Sequence, residues 1–471
     1  MATDSNGQFD VTIIGAGPGG YVAAIRGSQL GLKVALIEKD KRLGGTCGLR
    51  GCIPTKQMLM SAHIYEQTTQ HAAEFGVNVG NVTLDFGKVL KRKNDVVAKN
   101  AKGVEFLMKK NKVTVFKGAA RFVSPKQIEV TGEDGGKQTV DSKNVIIATG
   151  SVVRPIKGFE TDGERVINSD HILEIEQVPK SLLVMGAGAV GVEFASVYSR
   201  FGCETTIIEL MPRLLPGEDE EISKDLMKAF RKRGIKQQLD TKLEKLEKSD
   251  KGVVVTGKTT KGEDVRLEAE KLLVAVGRMT YTEGLGLEKT KVELERGSIV
   301  VDEFLRTGEE GIYAIGDAIP TPWLAHLASR EGIIAVEQIA GHKTQPVNLR
   351  LVPSCTYCDP EVASVGLTEA KAQEMGYDVK TGKFPFSASG KARILGEEEG
   401  FVKIVSEKKY DEILGVHIMG PHATELIAEA CVAMQLESTA EELGRTIHAH
   451  PTVSESVMEA AEGVHDLTIH F

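Results

Sequence analysis

Residues 11–38 read VTIIGAGPGGYVAAIRGSQLGLKVALIE, and residues 182–209 read LLVMGAGAVGVEFASVYSRFGCETTIIE. The two align without a gap. In each, a short apolar run leads into Gly-x-Gly-x-x-Gly, formed by Gly15, Gly17 and Gly20 in the first copy and by Gly186, Gly188 and Gly191 in the second. A helix-length stretch follows, then Gly31 or Gly202, then an apolar run ending in Glu38 or Glu209; 23 residues separate the first glycine from the acid in both copies. With 50 glycines in the chain, three in this pattern are expected by chance on the order of once, so the glycines alone say little. Their context says more. Each copy reads strand, turn, helix, strand. The glycines allow a tight turn and let a pyrophosphate approach the N–H groups at the positive end of the helix, while the acid can accept hydrogen bonds from a ribose. A tight βα turn with no ligand is the alternative for either copy alone. Both copies together predict two bound dinucleotides.

Other punctuation fits the same α/β pattern. Apolar runs end at Ala148-Thr149-Gly150, at Ala275-Val276-Gly277-Arg278, and at Gly316-Asp317. Asp317 there is either a turn residue or a hydrogen-bonding partner for a chain of hydroxyls. The chain of 471 residues is long for one core, and the map that follows is a first dinucleotide module in 1–150 and 280–350, with a second nested in 151–279. Residues 351–471 differ in texture, with strand-like stretches at 362–365, 401–405 and 413–418 followed by two amphipathic helices, and form a third, α+β domain. The lysine-rich stretch 88–112 reads as a solvated helix around an apolar stripe at Val89, Val96, Val97, Val104, Phe106 and Leu107.

Composition excludes several classes. Charged residues make up 26% and hydrophobic ones 41%, which suits a globular protein and not a disordered or fibrous one. The net charge of −8, from 58 basic and 66 acidic residues, argues against nucleic acid as a partner. No apolar stretch exceeds about ten residues, so no membrane span is expected. The first ten residues carry neither a basic region nor an apolar leader, and a cytoplasmic or organelle-matrix location is the expectation.

Six cysteines are too few for a disulfide-stapled scaffold. Cys47 and Cys52 lie in GGTCGLRGCIPTK (residues 44–56). A helix beginning near Pro54 puts Cys52 at its N-terminus, where the helix dipole and Lys56 favour a thiolate. Such a pair suits thiol–disulfide exchange. Metal binding is the rival, but no nearby His or second Cys pair completes a four-ligand set, so no metal site is expected. Cys355 and Cys358 fall in an extended stretch, whose side chains at i and i+3 point to opposite faces, and read with Cys203 and Cys431 as small apolar residues. Near the end stands HAHPTVSE (residues 448–455). His450 either works as an acid or base near neutrality, oriented by Glu455, or is a structural residue before a helix-starting Pro451.

Taken in order, GAGPGGY, GGTCxxxGCIPTK, the ATG run, GAGAVGVE, AVGR, YAIGD, LAHLASREG, PEVASVGLTE and HAHPTVSE cover essentially the whole chain. Together they resemble the flavin-dependent pyridine nucleotide disulfide oxidoreductases of class I. The resemblance implies two Rossmann-like domains, one inserted in the other, plus a C-terminal dimerisation domain. It implies FAD in the first module, with Glu38 on the adenosine ribose and Asp317 on the ribitol. Thr46, Lys56, Ala120, Thr149, Gly150 and Ala325 would line that pocket, and Lys56 would pair with Glu193. NAD would occupy the nested module, with Glu209 on its ribose and Ala275, Gly277 and Arg278 beside it. Cys47 becomes the interchange thiol and Cys52 the charge-transfer thiol. His450, oriented by Glu455, becomes the base and comes from the other subunit of a homodimer. The implied reaction reoxidises protein-bound dihydrolipoamide and passes hydride to NAD⁺. Its implied partners are lipoyl domains of 2-oxo acid dehydrogenase or glycine cleavage complexes.

Relatives with other substrates fit less well. Glutathione and trypanothione reductases use NADPH, whose 2′-phosphate Glu209 would repel, although Arg213 lies four residues on. Mercuric reductases and large thioredoxin reductases need a C-terminal redox centre, and no cysteine follows Cys431. Two departures from the family pattern are Gly48-Leu49-Arg50 between the cysteines and Trp323 before Leu324-Ala325-His326; both bear on substrate preference. A flavoprotein that only docks in an assembly or senses redox state is the alternative from another class, and bleaching of bound FAD by dihydrolipoamide separates the two.

Overall fold

The computed structural model describes residues 8–471; most of the N-terminal stretch read as leaderless lies outside the described residues. The chain gathers into two compact units. The first takes in Met1–Gln57 (described from residue 8), Lys88–Arg154 and Gly277–Val347; the second takes in Met58–Gly87, Pro155–Val276 and Asn348–Phe471.

In the first unit, strand Phe9–Ile14 pairs in parallel with Val34–Glu38 on one side and with the end of Lys137–Ile147 on the other. Thr114–Lys117 and Ile312–Ala314 extend the parallel sheet at its two edges. These strands are almost continuously apolar because both faces of the sheet are covered; Val11, Ile13, Leu36, Ile146 and Ile147 are fully enclosed, in one core with Phe122, Ile128 and Val130. Helix Pro18–Gln29 makes the crossover between the first two strands. It packs closely on helix Ala325–Ile339, since a Cβ at Gly19 would come within 2.9 Å of Ala328 O. The first half of Lys137–Ile147 leaves this sheet to join an antiparallel meander with Ala119–Ser124 and Gln127–Thr131.

The second unit repeats the parallel pattern. Its five-stranded sheet runs Lys236–Gln238, Glu204–Ile208, Ser181–Met185, Lys271–Val274, Val166–Ile167. Helix Ala189–Arg200 forms the crossover corresponding to Pro18–Gln29. A three-stranded antiparallel sheet spans Thr241–Ser249, Gly252–Thr259 and Asp264–Ala269. A five-stranded antiparallel sheet runs Ser354–Thr356, Glu361–Gly366, Ile413–Gly420, Phe401–Glu407, Val379–Pro385, with the expected strand-like stretches inside three of these.

Three sequence expectations need correcting. The stripe of helix Phe86–Lys110 runs through Phe86, Lys93, Val97, Ala101, Val104 and Met108, which share one face at i+3 and i+4 spacing; Lys93 is therefore 1% exposed and Phe106 63% exposed. After the last strand, Ile413–Gly420, come three helices and not two, Ala423–Gln435, Ala440–Arg445 and Glu455–Gly463, because Thr439 caps a short helix by accepting from Glu442 N. Pro451 follows a cis peptide bond and does not start a helix; the helix begins at Glu455.

Candidate active site

The two glycine turns share their geometry. Gly15 and Gly186 both sit at φ +107°, and a Cβ there would meet Ala148 O at 2.3 Å or Ala275 O at 2.6 Å. A Cβ at Gly20 or Gly191 would collide with the carbonyl of the first glycine at 1.8 or 2.0 Å. Gly17 and Gly188 have a different reason to be glycine. Each is the N-cap of its helix with extended backbone, and no side chain caps either helix. A Cβ at Gly188 would have no neighbour within 4 Å, and at Gly17 only Gly45 Cα at 4.0 Å. The space a side chain would fill is a cradle at two uncapped helix N-termini, the donor set a pyrophosphate needs.

The acids repeat as closely. Glu38 accepts from Ala16 N at 2.7 Å and Asp40 N at 2.8 Å; Glu209 accepts from Ala187 N at 2.7 Å and Met211 N at 2.9 Å. Two N–H groups thus aim each carboxylate beside its own turn, where a ribose would lie. Burial pushes the Glu38 carboxyl above its usual value, against the lowering effect of the Asp40 and Ala16 N–H groups. Arg213 donates to Pro216 O at 2.8 Å. The residues present fit one dinucleotide in each turn.

The cysteines grow from the first turn. Gly44 N donates to Ala16 O at 3.0 Å, and a Cβ at Gly45 would lie 2.5 Å from Gly17 Cα. The short helix Gly45–Arg50, carrying Thr46 and Cys47, therefore starts against the pyrophosphate cradle. Gly51 breaks it, and helix Cys52–Glu66 begins with Cys52 as its first residue. Cys47 and Cys52 form a disulfide. Lys56 follows Cys52 by four residues on this helix, while Arg50, one of the family departures, pairs with Asp40.

Other site residues collect at the strand ends. Thr149 donates through Oγ1 to Tyr281 O at 2.7 Å, and Gly150 O accepts from Tyr281 N at 2.9 Å. Ser151 donates to Asp317. Arg278 donates to the Ser151 hydroxyl and carbonyl, both at 2.7 Å, and over a longer 3.4 Å to Thr46 Oγ1. The side chain read from sequence as neighbouring the second nucleotide is thus engaged with residues of the first unit. Ala275 N donates to Met185 O at 2.8 Å, repeating the bond from Ala148 N to Ile14 O. Ala120 pairs with Val130 just after Gly118, whose N–H donates to Glu38 O at 2.9 Å. Ala325 is the first residue of its helix.

Sequence reading missed Ser151 and Glu331. Glu331, 1% exposed, accepts from Gly316 N at 2.7 Å and Thr321 Oγ1 at 2.8 Å, so it fixes the turn that carries Asp317. Its burial pushes the carboxyl above its usual value. The clue was an acid at i+3 and i+4 from Ala328 and Leu327, on the apolar face of its helix. Trp323 donates to Ile319 O at 3.1 Å and braces the same turn.

In the second unit Glu193 is buried and accepts from Tyr357 N at 2.9 Å. His450 Nδ1 lies 2.8 Å from Glu455 Oε1, and Glu455 Oε2 accepts from Thr452 N at 2.8 Å. Burial raises the Glu455 carboxyl, but the Thr452 N–H and the His450 ring together hold it below the ordinary range. The His450 side chain is 79% exposed, with Nε2 left for a reactant. Cys203 and Cys358 are buried and Cys355 and Cys431 half-buried, all four outside the disulfide.

Residues 9–332 match the family model of pyridine nucleotide-disulphide oxidoreductases, and residues 352–461 match the dimerisation domain of the same family. The chain belongs to the pyridine nucleotide-disulphide oxidoreductases. Within this family it is 47% identical to a dihydrolipoyl dehydrogenase of Bacillus subtilis, over 98% of this chain and 99% of that one. It is 44% identical to a mitochondrial dihydrolipoyl dehydrogenase of Pisum sativum, over 98% of this chain and 93% of that one. Its fold is similar to the crystal structure of LpdA from Mycobacterium tuberculosis, with a TM-score of 0.89, 28% identity, and coverage of 96% of this chain and 98% of that one. Among the described residues, no helix is long and apolar enough to cross a membrane.

Proposed function

We infer that this oxidoreductase is an NAD-dependent dihydrolipoyl dehydrogenase: it oxidises protein-bound dihydrolipoamide to lipoamide through the Cys47–Cys52 disulfide. The observation that carries this reading is the disulfide helix seated on the first nucleotide turn, where Gly44 N bonds Ala16 O.

FAD fits the first turn and NAD the second; when bound, they supply a two-electron acceptor for the thiolate pair and an outlet for hydride. The rest is done by side chains. His450, held by Glu455, removes the proton from a substrate thiol through Nε2. The resulting thiolate attacks Cys47 Sγ, the new S–S bond forms as the Cys47–Cys52 bond breaks, and Cys52 leaves as a thiolate. Cys52 is the better leaving group because it opens a helix of 15 residues, whose positive end stabilises the anion. The second substrate thiol loses its proton to solvent, and the thiolate attacks the substrate sulfur of the mixed disulfide, releasing lipoamide and a Cys47 thiolate. The imidazolium of His450 stabilises the reduced pair.

Glu38, Asp317, Thr46, Ala120, Thr149, Gly150 and Ala325 serve the FAD pocket, with Lys56 and Glu193 paired at the flavin side. Glu209, Ala275, Gly277 and Arg278 serve NAD. Domains at 1–150 with 280–350, at 151–279 and at 351–471 carry these roles. The last domain joins two copies in a homodimer, so that each His450 serves its partner's disulfide. The working partners are lipoyl domains of 2-oxo acid dehydrogenase or glycine cleavage complexes, in a cytoplasm or organelle matrix.

A steady-state panel of dihydrolipoamide, glutathione disulfide and Hg²⁺, each with NAD(H) and NADP(H), tests the substrate. Dihydrolipoamide with NAD⁺ is expected to dominate. Cys47→Ser should abolish lipoamide turnover while keeping FAD and NADH oxidation by artificial acceptors; unchanged lipoamide turnover in that variant sinks the assignment.

A further inference from the structure

The stretch of the second unit that carries His450 is exposed: Ile447 is 96% exposed, and the His450 side chain stands out in solvent. His448 points the other way, its side chain only 5% exposed. Its Nδ1 lies 2.7 Å from Thr446 O and its Nε2 2.5 Å from Glu429 Oε1. A carbonyl oxygen can only accept, so Nδ1 donates to Thr446 O, and Nε2 stands within hydrogen-bond distance of the Glu429 carboxylate. Both edges of the ring are therefore tied, one to the start of its own turn and one to helix Ala423–Gln435.

The far side of the turn is tied as well. Thr452 Oγ1 donates to Ala449 O at 2.6 Å, and Thr452 N donates to Glu455. His450 thus sits between two anchors on a segment that has almost no apolar burial of its own. Glu455 sets the rotation of the His450 ring and, through Thr452 N, holds the backbone on that side. On the other side of His450, the backbone is held through His448.

We propose that Glu429 and His448 form a positioning pair for His450: they hold the exposed turn so that the base meets the substrate thiol. The proposal rests on the reading of His450 as the base. Neither residue of the pair touches substrate. Their effect is exerted through the location of His450 Nε2, and displacement of a reacting group by about an ångström costs on the order of a hundredfold in rate.

The test uses the full-length protein loaded with FAD and follows the flavin absorbance in two separate half-reactions, reduction by dihydrolipoamide and reduction by NADH. Glu429→Ala and His448→Ala are expected to slow reduction by saturating dihydrolipoamide by about ten- to a hundredfold and to leave reduction by NADH, which does not use His450, unchanged. Glu429→Gln keeps a hydrogen-bonding partner for Nε2 and should restore most of the rate. Should His448→Ala fail to fold, the comparison of Glu429→Ala with Glu429→Gln on the surface of its helix decides the matter alone. Equal slowing of both half-reactions, or dihydrolipoamide reduction within about twofold of the parent in the alanine variants, overturns the pair. His450→Gln is the control: a parent that dihydrolipoamide reduces no faster than this variant overturns the reading of His450, and the pair with it.

Discussion

The two nucleotide turns are near copies that differ in what stands next to them. From Gly15 to Glu38 and from Gly186 to Glu209, bonds such as Gly15 N to Ile37 O and Gly186 N to Ile208 O repeat at 2.8 Å. Beside Gly17 lies Gly45, bringing the disulfide helix with it, and Glu38 is buried; beside Gly188 nothing would meet a Cβ, and Glu209 is half-exposed. A turn walled on one side by the redox helix suits a ligand that stays, and an open turn suits one that leaves at every turnover. The edge strands differ too. Ile312–Ala314 comes to the first sheet from far downstream, while Val166–Ile167 comes to the second from just upstream. The same local sequence has been placed in two settings, and the setting carries the difference in use.

The crossover helices of the two modules sharpen this contrast energetically. Near the end of the first, Arg26 pairs with Glu337 at 2.6 Å with both side chains partly exposed. At the end of the second, Arg200 is 6% exposed by side chain and pairs with Glu66 at 2.5 Å and with Asp359. Arg233 bonds Asp359 in turn at 3.1 Å. Removing one partner from a buried pair leaves an uncompensated charge, so Arg200→Ala should cost about 3–5 kcal/mol in urea unfolding. Arg26→Ala should cost less than about 1 kcal/mol, since solvent screens that pair. Similar losses in the two variants break the contrast. Because Glu66 ends the helix that Cys52 begins, Arg200→Ala is also expected to be the less stable at its redox helix, visible as faster amide exchange there.

The repeat made the parallel modules legible, because a turn that must be glycine and an acid at a fixed interval are local constraints written in residue identity. The disulfide partners and the His450–Glu455 contact were legible for the same reason, lying within five residues of each other. What stayed hidden depended on distant chain. Ser151 gains its meaning from Asp317 and Arg278, and Glu331 from the N–H of Gly316 fifteen residues earlier. The antiparallel sheet Thr241–Ser249, Gly252–Thr259, Asp264–Ala269 escaped notice because its outer strands are largely exposed and rich in charge, which reads as loop. Lys93 misled in the opposite sense: a lysine is usually a surface signal, and here helical spacing places it in the stripe.

The open second turn is the place to change cofactor choice. On the proposed reading, the Glu209 carboxylate takes the NAD ribose, where it would repel the 2′-phosphate of NADP. Glu209→Arg should raise the ratio of kcat/KM for NADP⁺ over NAD⁺ by about tenfold or more, roughly 1.4 kcal/mol of discrimination. The corresponding Glu38→Arg is expected to lower FAD retention without conferring use of a phosphorylated dinucleotide, because Glu38 is buried and the redox helix closes one side of its turn. An unmoved ratio in Glu209→Arg means that this acid does not face the ribose.

The smallest expected effect concerns the buried acid alone. With its carboxyl held above its ordinary value mainly by burial, Glu38 keeps its proton in the folded apoprotein at a pH where the unfolded chain has lost it. Its contribution to stability is therefore fully present below the ordinary value and is lost as pH rises through the folded value. Glu38→Gln cannot titrate and removes that loss, so the difference in urea midpoint between parent and variant apoprotein should shift in the variant's favour as pH rises from about 4 to about 8. Glu331 titrates in both proteins and cancels in the difference. A difference independent of pH means that the two Glu38 bonds to Ala16 and Asp40 offset its burial completely. In that case the burial of the first turn governs access to its ligand and not the charge of its acid.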